Sequence, residues 1–290
     1  MIAIAAVVAV LSLARVSAAG QTMGTKGGCP EEPAHFHPCA TAKAKTFNPP
    51  RTPDGKPDLQ GFWTGSGSLS NIEEHPASTP DVLAGGDRGG KSLIVEPADG
   101  KIPYQPWALA QRKENVEHYI APLAQCVLPG VPRQVHSPGG FQIFQLPGYV
   151  VVLTEYVHSY RIIPLDGRPH VGEPIRLLQG DSRGHWEGNT LVVDVTNINA
   201  KIWFDWVGNF YSDAVHVVER FTLVDADTMH YEATFEDPRV FTRPWKMAFG
   251  VTRRQEPGYE PIEEACREGE RDRPLFNLGY RTYPGVVPPR

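Results

Sequence analysis

Beyond Leu13, no stretch of this 290-residue chain approaches the roughly 20 apolar residues that a membrane-spanning helix requires. No run or stripe of Lys and Arg is present, and the net charge is −5, which argues against nucleic acid as a partner. Long helical periods are scarce as well. Gly and Pro number 28 each, so the chain turns often. The Gly-x-Ser-x-Gly elbow of serine hydrolases is missing. Ser182 sits instead in Gly180-Asp181-Ser182-Arg183-Gly184, without the strand–helix setting that elbow needs. None of His158, His170, His185 and His216 forms a close His-x-His or His-x-x-x-His pair in the strand region. No metal ligand and no cofactor is therefore assigned, with a divalent metal as the lesser alternative.

What is present fits an exported domain. Residues Ile2 to Leu13 are an apolar run too short to cross a bilayer, followed by the small residues Val16-Ser17-Ala18-Ala19. That pattern reads as a signal peptide over 1–19, with a membrane anchor as the alternative. The expected address is the periplasm or the outside of the cell. An even count of four Cys suits disulfides in such a compartment. Pairing Cys29 with Cys39 would close a small Pro-rich loop, and Cys126 with Cys266 would tie the tail to the domain. His35 and His37 lie between the first two, but that spacing matches no zinc pattern. Hydrophobic residues make up 41% of the chain, enough for a substantial core.

Residues 20–58 read as an extended Pro- and Gly-rich lead-in. A β domain is expected over 59–257, opening with the strand Leu59 to Thr64, and a tail over 258–290 wraps it. Residues 66–90 read as a loop. The spacing of Trp107, Leu109, Ala110, Val116, Tyr119 and Ile120 predicts a single helix over 106–121. Strands are expected at Phe141–Gln145, Tyr149–Pro164, Ile175–Glu187, Thr190–Thr196, Val215–Val224, Met229–Glu236 and Trp245–Thr252. Short strands in succession with turn signals read as an antiparallel meander, closed as a barrel or packed as a sandwich.

Register follows for two hairpins, because a slip of one residue exchanges the faces. A two-residue turn at Gly188-Asn189 pairs Glu187 with Thr190. Trp186 then meets Leu191, and the opposite side gathers Asp181, Arg183, His185 and Asp194. A three-residue loop at Asp225-Ala226-Asp227 pairs Val224 with Thr228 and Phe221 with Tyr231. Its polar side pairs Arg220 with Glu232 and His216 with Glu236, while Glu219 stands among apolar residues. Tyr156, His158 and Tyr160 share one side of the strand 149–164.

An imidazole near neutral pKa with a carboxylate to orient it is what a general acid–base needs. His185 with Asp194 or Asp181 supplies that pair, Arg183 or Arg220 a cation for developing negative charge, and Glu219 or Glu232 an acid. His216 joins the same polar face. The bland alternative is a solvated sheet face with weak cross-strand ion pairs. For Glu219 the alternatives are a desolvated functional carboxylate or an ion pair with a buried Arg such as Arg161. Tyr156, His158, Tyr160, Trp186 and Trp206 are candidate ligand contacts. The cluster Trp203-Phe204-Asp205-Trp206 suits stacking on a sugar or aromatic compound, or capping of the core.

Three segments carry a resemblance. Pro50 to Trp63 (PRTPDGKPDLQGFW), Gly180 to Asp194 (GDSRGHWEGNTLVVD) and Ser212 to Phe221 (SDAVHVVERF) resemble the signatures of a family of uncharacterised exported bacterial proteins. The resemblance spans about residues 29 to 272 and implies a lipocalin-like barrel without supplying an activity. The expectation is thus a lipocalin-like antiparallel β-barrel, or a related β-sandwich, with one peripheral helix. Its expected role is an acid–base hydrolase, lyase or isomerase acting on a small aromatic or glycosidic molecule. A non-catalytic ligand carrier and a structural envelope module are the competing readings.

Overall fold

The two hairpins whose register the turns dictate lie side by side and form one end of a large antiparallel sheet. A computed structural model describes residues 24–65, 71–77, 89–136, 139–264, 266, 275 and 277–289. The expected signal segment 1–19 and most of the 66–90 loop lie outside them. Two-residue strands β1 (Thr25–Lys26) and β2 (Cys29–Pro30) lead into helix α1 (Pro33–Ala44). Strands β3 (Gly61–Thr64) and β4 (Ile94–Glu96), helix α2 (Pro106–His118) and strand β5 (Tyr119–Ile120) follow. A helical turn α3 (Arg133–His136) precedes β6 (Gly140–Leu146), β7 (Tyr149–Thr154) and β8 (Tyr160–Pro164). Then come β9 (Asp181–Glu187), β10 (Thr190–Thr196), β11 (His216–Leu223), β12 (Thr228–Glu236) and β13 (Trp245–Arg253). Strand β14 (Arg281–Thr282) pairs parallel with β5.

Nine strands pair in the order β8-β7-β6-β3-β13-β12-β11-β10-β9, with β4 added beside β13. The sheet curls into a nearly closed, lipocalin-like barrel whose two end strands meet through side chains. At that seam a methyl group on Gly184 would lie 2.7 Å from Leu165 Cδ2 and 2.8 Å from Ile163 Cγ2. Gly180, which opens β9, has a second reason to be glycine. Its φ is +70°, and a Cβ there would sit 2.7 Å from the Thr196 carbonyl oxygen. Backbone cannot swing away as a side chain can. Gly180→Ala should therefore lower the unfolding free energy by about 1–3 kcal/mol, read from a urea midpoint.

Alternation sorts the side chains. Leu191, Val193 and Val195 of β10, Val217 and Phe221 of β11 and Tyr231 and Phe235 of β12 are all buried inward. Phe235 stacks on Trp245 with ring centroids 4.3 Å apart, and Phe204 meets both rings edge-on. Aromatic pairs in these geometries add about 0.5–1.5 kcal/mol each beyond the apolar area they bury. Both expected registers are present: Glu187 pairs with Thr190, Arg183 with Asp194, Arg220 with Glu232 and His216 with Glu236.

Three elements differ from the sequence reading. The expected strand 149–164 is a hairpin, β7 and β8, broken by a helical turn at Tyr156–His158 where Val157 has φ +56°. Thr154 and Ser159 close it, their hydroxyls 2.6 Å apart and the Thr154 N–H donating to Ser159 O. Residues 175–180 are not strand. The Asn197 side-chain amide donates instead to the carbonyls of Val171, Gly172 and Ile175, which a sheet ladder would have used. The lead-in 20–58 contains a second substantial helix, α1, where one peripheral helix was expected. Pro33 begins α1 without needing its missing N–H, and Pro38 within it masks the helical signal.

Helix α1 lies across the outer face of β12 and β13. Phe36 is fully buried there, and a Cβ on Gly250 would come within 2.8 Å of its ring. The expected disulfides are both formed. Cys29–Cys39 fastens α1 to β2, and Cys126–Cys266 ties the C-terminal segment to the body. No helix of the described residues is long and apolar enough to cross a membrane.

Candidate functional site

Inward burial of the apolar face puts the polar face of β9 to β12 on the outside of the barrel. Asp181, Arg183, His185, Asp194, His216, Arg220 and Glu232 therefore line no barrel lumen; they meet solvent or the elements laid over the sheet. Sequence alternation shows which side chains share a face, and the aromatic core decides which face turns outward.

These residues fall into two hydrogen-bonded groups. In the first, His170 bridges two carboxylates, with Nδ1 at 2.7 Å from Asp181 and Nε2 at 2.9 Å from Asp194. The other oxygen of Asp194 is 2.9 Å from His216 Nε2, and Arg183 donates to Asp181 at 2.7 Å. The result is a chain from Arg183 through Asp181, His170 and Asp194 to His216. His185 is not part of it: its imidazole meets Glu187 at 3.1 Å, so neither Asp194 nor Asp181 orients it. Glu187 also accepts from Arg220 at 2.8 Å, so Arg220 turns to Glu187 and not to its cross-strand neighbour Glu232.

The bond to His216 holds the Asp194 carboxyl below its ordinary value, and the same bond raises the His216 imidazole. For His216 the folded pKa exceeds the unfolded value of 6.5. Its stabilisation is thus complete below that pH and is lost as pH rises through the raised value. Asp194 behaves oppositely, contributing above 3.8 and losing its contribution as pH falls through the lowered value. Both side chains are about 40% exposed, so screening keeps the effect under about 1 kcal/mol. His216→Gln should accordingly flatten the fall of melting temperature above pH 6.5, seen by thermal unfolding from pH 5 to 9. An unchanged slope would remove the pair from the pH response.

The second group lies under α1. His230 and Glu232 are two residues apart on β12 and so share its outer face. His37 of α1 reaches down to them, its Nδ1 3.1 Å from His230 Nε2 and 3.7 Å from Glu232 Oε2. The two facing imidazole nitrogens share one N–H. Burial lowers the His230 pKa to about 3, with His37 and Lys246 adding to the effect, so this imidazole is neutral at pH 7. Burial lowers His37 as well, against the opposing pull of Glu232. Lys246 sits between Glu232 at 3.7 Å and Glu96 at 3.3 Å.

Beside this cluster a groove of about 360 Å³ runs between α1 and the sheet. Thr41 and Lys45 line it from the helix side; Thr190, Arg220, His230 and Glu232 line it from the strands. No family model, no curated protein and no solved structure matches the chain. Geometry and chemistry carry the functional reading.

The remaining expected residues lie elsewhere. Glu219 points into the barrel, fully buried, with its carboxylate 2.6 Å from Arg161 and accepting from the Tyr231 hydroxyl at 2.8 Å. That is the ion-pair alternative, with the carboxylate wholly inside the core. Tyr160 is 64% exposed on the outer side of β8. Tyr156 and His158 belong to the turn before it, and His158 Nδ1 bonds the Glu264 carbonyl. Trp186 packs against the core, and Trp206 lies under the Arg133 guanidinium, 4.7 Å from the ring centroid. With Trp203 and Phe204 buried, the 203–206 cluster caps the core. These aromatic residues form no common ligand platform.

His230 was not among the candidates from sequence, and His37 and His170 were weighed there only as metal ligands and set aside on spacing. The spacing of His230 and Glu232 on one strand face was a legible signal. The approach of His37, 193 residues away in the chain, was not.

Proposed function

We propose that this chain is an exported small-molecule protein acting as an acid–base enzyme, with its site in the groove under α1. The observation that carries the reading is the meeting of Arg220, His230 and Glu232 along one cleft of substrate size. The Glu232 carboxylate can take up and return a proton, the neutral His230 imidazole can hydrogen-bond the substrate, and a guanidinium favours negative charge that develops during reaction. Glu187 holds Arg220 from the solvent side, with His185 behind it. The hydroxyls of Thr41, Thr190 and Thr222 and the Asn189 amide offer hydrogen bonds along the walls. Such a lining suits a hydroxylated, glycosidic compound better than a flat aromatic one, since the candidate stacking residues are elsewhere.

Export is supported by the N-terminal apolar segment and by two disulfides of the kind that persist in oxidising compartments. The three segments that resemble the exported bacterial family meet in the fold. Arg51 of the first donates to Asn189 of the second at 2.7 Å, and β10 of the second pairs along β11 of the third.

The test is a thermal-shift and turnover screen of the chain lacking residues 1–19 against neutral and acidic glycosides. A substrate hit should lose about 10²- to 10⁴-fold in rate with Glu232→Gln, the usual contribution of a general acid–base group. A hit that stabilises the protein without turnover would make it a carrier. Hits unaffected by Arg220→Ala and Glu232→Gln would place the ligand outside the groove.

A further inference from the structure

The clustering of His37, His230 and Glu232 goes beyond an acid–base reading of the groove. We propose that these three side chains form a binding site for one divalent first-row transition ion of the zinc, cobalt or iron class. The site stands on its side chains alone and survives even if the groove turns nothing over.

Donor chemistry comes first. Two imidazole nitrogens and one carboxylate oxygen suit zinc and its neighbours, whereas magnesium and calcium demand oxygen ligands. Three protein donors also leave coordination positions for water or a substrate, as catalytic sites do and closed structural sites do not. Since His230 and Glu232 both line the groove, those positions open towards it.

Geometry agrees. One donor atom from each residue lies within 4.8 Å of the others. Bonds of about 2.1 Å set neighbouring donors roughly 3.0 Å apart at octahedral angles and 3.4 Å at tetrahedral ones. His37 and His230 stand at 3.1 Å, inside that range. The Glu232 carboxylate, 3.7 Å from His37 and within 4.8 Å of both nitrogens, must turn inward to complete the set. Lys246 approaches the Oε1 of Glu232, while Oε2 is the atom nearer His37.

The frame holds the donors before any ion arrives. His230 and Glu232 are fixed between β11 and β13, paired with Thr222 and Gly250, and with Arg220 and Ala248. His37 follows the anchored Phe36 and sits two residues before Cys39, whose disulfide fastens α1. Gly250 lets the helix approach closely enough for the imidazoles to touch. Around the site, Glu232 and Glu96 flank Lys246, while Lys45 and Arg220, the latter held by Glu187, line the adjoining groove.

The other histidine group does not qualify. Each ring nitrogen of His170 already faces its own carboxylate oxygen at hydrogen-bond distance, and the donors extend in a chain instead of surrounding a point. It serves as the internal control.

Protein lacking residues 1–19 and stripped with EDTA is titrated with Co²⁺ and with Zn²⁺, followed by visible absorption for cobalt and by calorimetry for both. One ion per chain is expected, with at least tenfold weaker binding in His37→Ala and in Glu232→Gln. His170→Ala/His216→Ala should bind as the parent does. His37 lies on the helix and is only partly buried, so its variant keeps the barrel intact; near-UV circular dichroism verifies this. Absence of one-to-one binding below millimolar ion, or unchanged affinity in His37→Ala, would overturn the site. Loss of binding only in the His170/His216 variant would move it to the other cluster. Glycoside binding measured on the EDTA-stripped protein tests the groove separately, so either reading can fail alone.

Discussion

Glu219→Leu should cost about 3–5 kcal/mol of unfolding free energy, because it strands the Arg161 guanidinium inside the barrel. Glu219 is fully buried and Arg161 is 4% exposed, so water reaches neither charge. Their attraction at 2.6 Å is coulombic; among the described residues no aligned acceptor meets Arg161 Nε or Nη1. Taking two charges out of water costs several kcal/mol per ion, and a pair without full hydrogen bonding recovers that only in part. The double change Glu219→Leu/Arg161→Met should therefore regain most of what the single change loses. Urea unfolding of the parent, both single variants and the double variant gives the coupling directly. A single variant within 1 kcal/mol of the parent would show that solvent reaches the pair. Tyr231, whose hydroxyl pKa burial raises well above its ordinary value, stays a neutral donor to Glu219 throughout the accessible pH range.

Removing the Cys126–Cys266 disulfide is the second large effect. Its half-cystines are 140 residues apart, against 10 for Cys29–Cys39. In the chain-entropy account, closing loops of those sizes restricts the unfolded chain by about 5 and about 3 kcal/mol. Cys126→Ser/Cys266→Ser should thus destabilise more than Cys29→Ser/Cys39→Ser, measured by chemical unfolding under non-reducing conditions. Tyr283 and Val286 are buried, and β14 pairs with β5, so part of the C-terminal segment has its own attachment. A loss below about 1 kcal/mol would mean that this attachment already restricts the chain as the bridge does. The smaller loop has a local consequence instead, because it positions the helix that carries His37.

Both hairpin registers were legible because turn length and the period of two fix them locally. A two-residue turn at Gly188-Asn189 leaves one pairing, and a three-residue loop keeps Phe221 opposite Tyr231. Glu219 was legible too, as a carboxylate out of place on an apolar face. Helix α1 was not, because Pro38 and the brevity of its apolar stripe hide a helix whose stability comes from docking Phe36. The break between β7 and β8 was hidden as well. Its residues have strand-like composition, and only the Thr154–Ser159 closure bends them back. The expected pairing of His185 with Asp194 or Asp181 differs from the structure for the same reason. Asp181 and Asp194 are claimed by His170, which arrives on an irregular segment whose path local pattern does not encode.

By itself the sequence determined the pairing and register of two hairpins, β9 with β10 and β11 with β12, which of their side chains share a face and which cysteines can bridge. Those properties depend on near neighbours and on the two-residue repeat of a strand. Tertiary structure alone decided that the polar face turns outward, that Arg161 meets Glu219, and that α1 crosses β12. Each requires packing between residues far apart in the chain, where Phe36 against Gly250 and the aromatic core set distances that no local pattern specifies. The meeting of His37 with His230 and Glu232 is the functional result of that long-range packing.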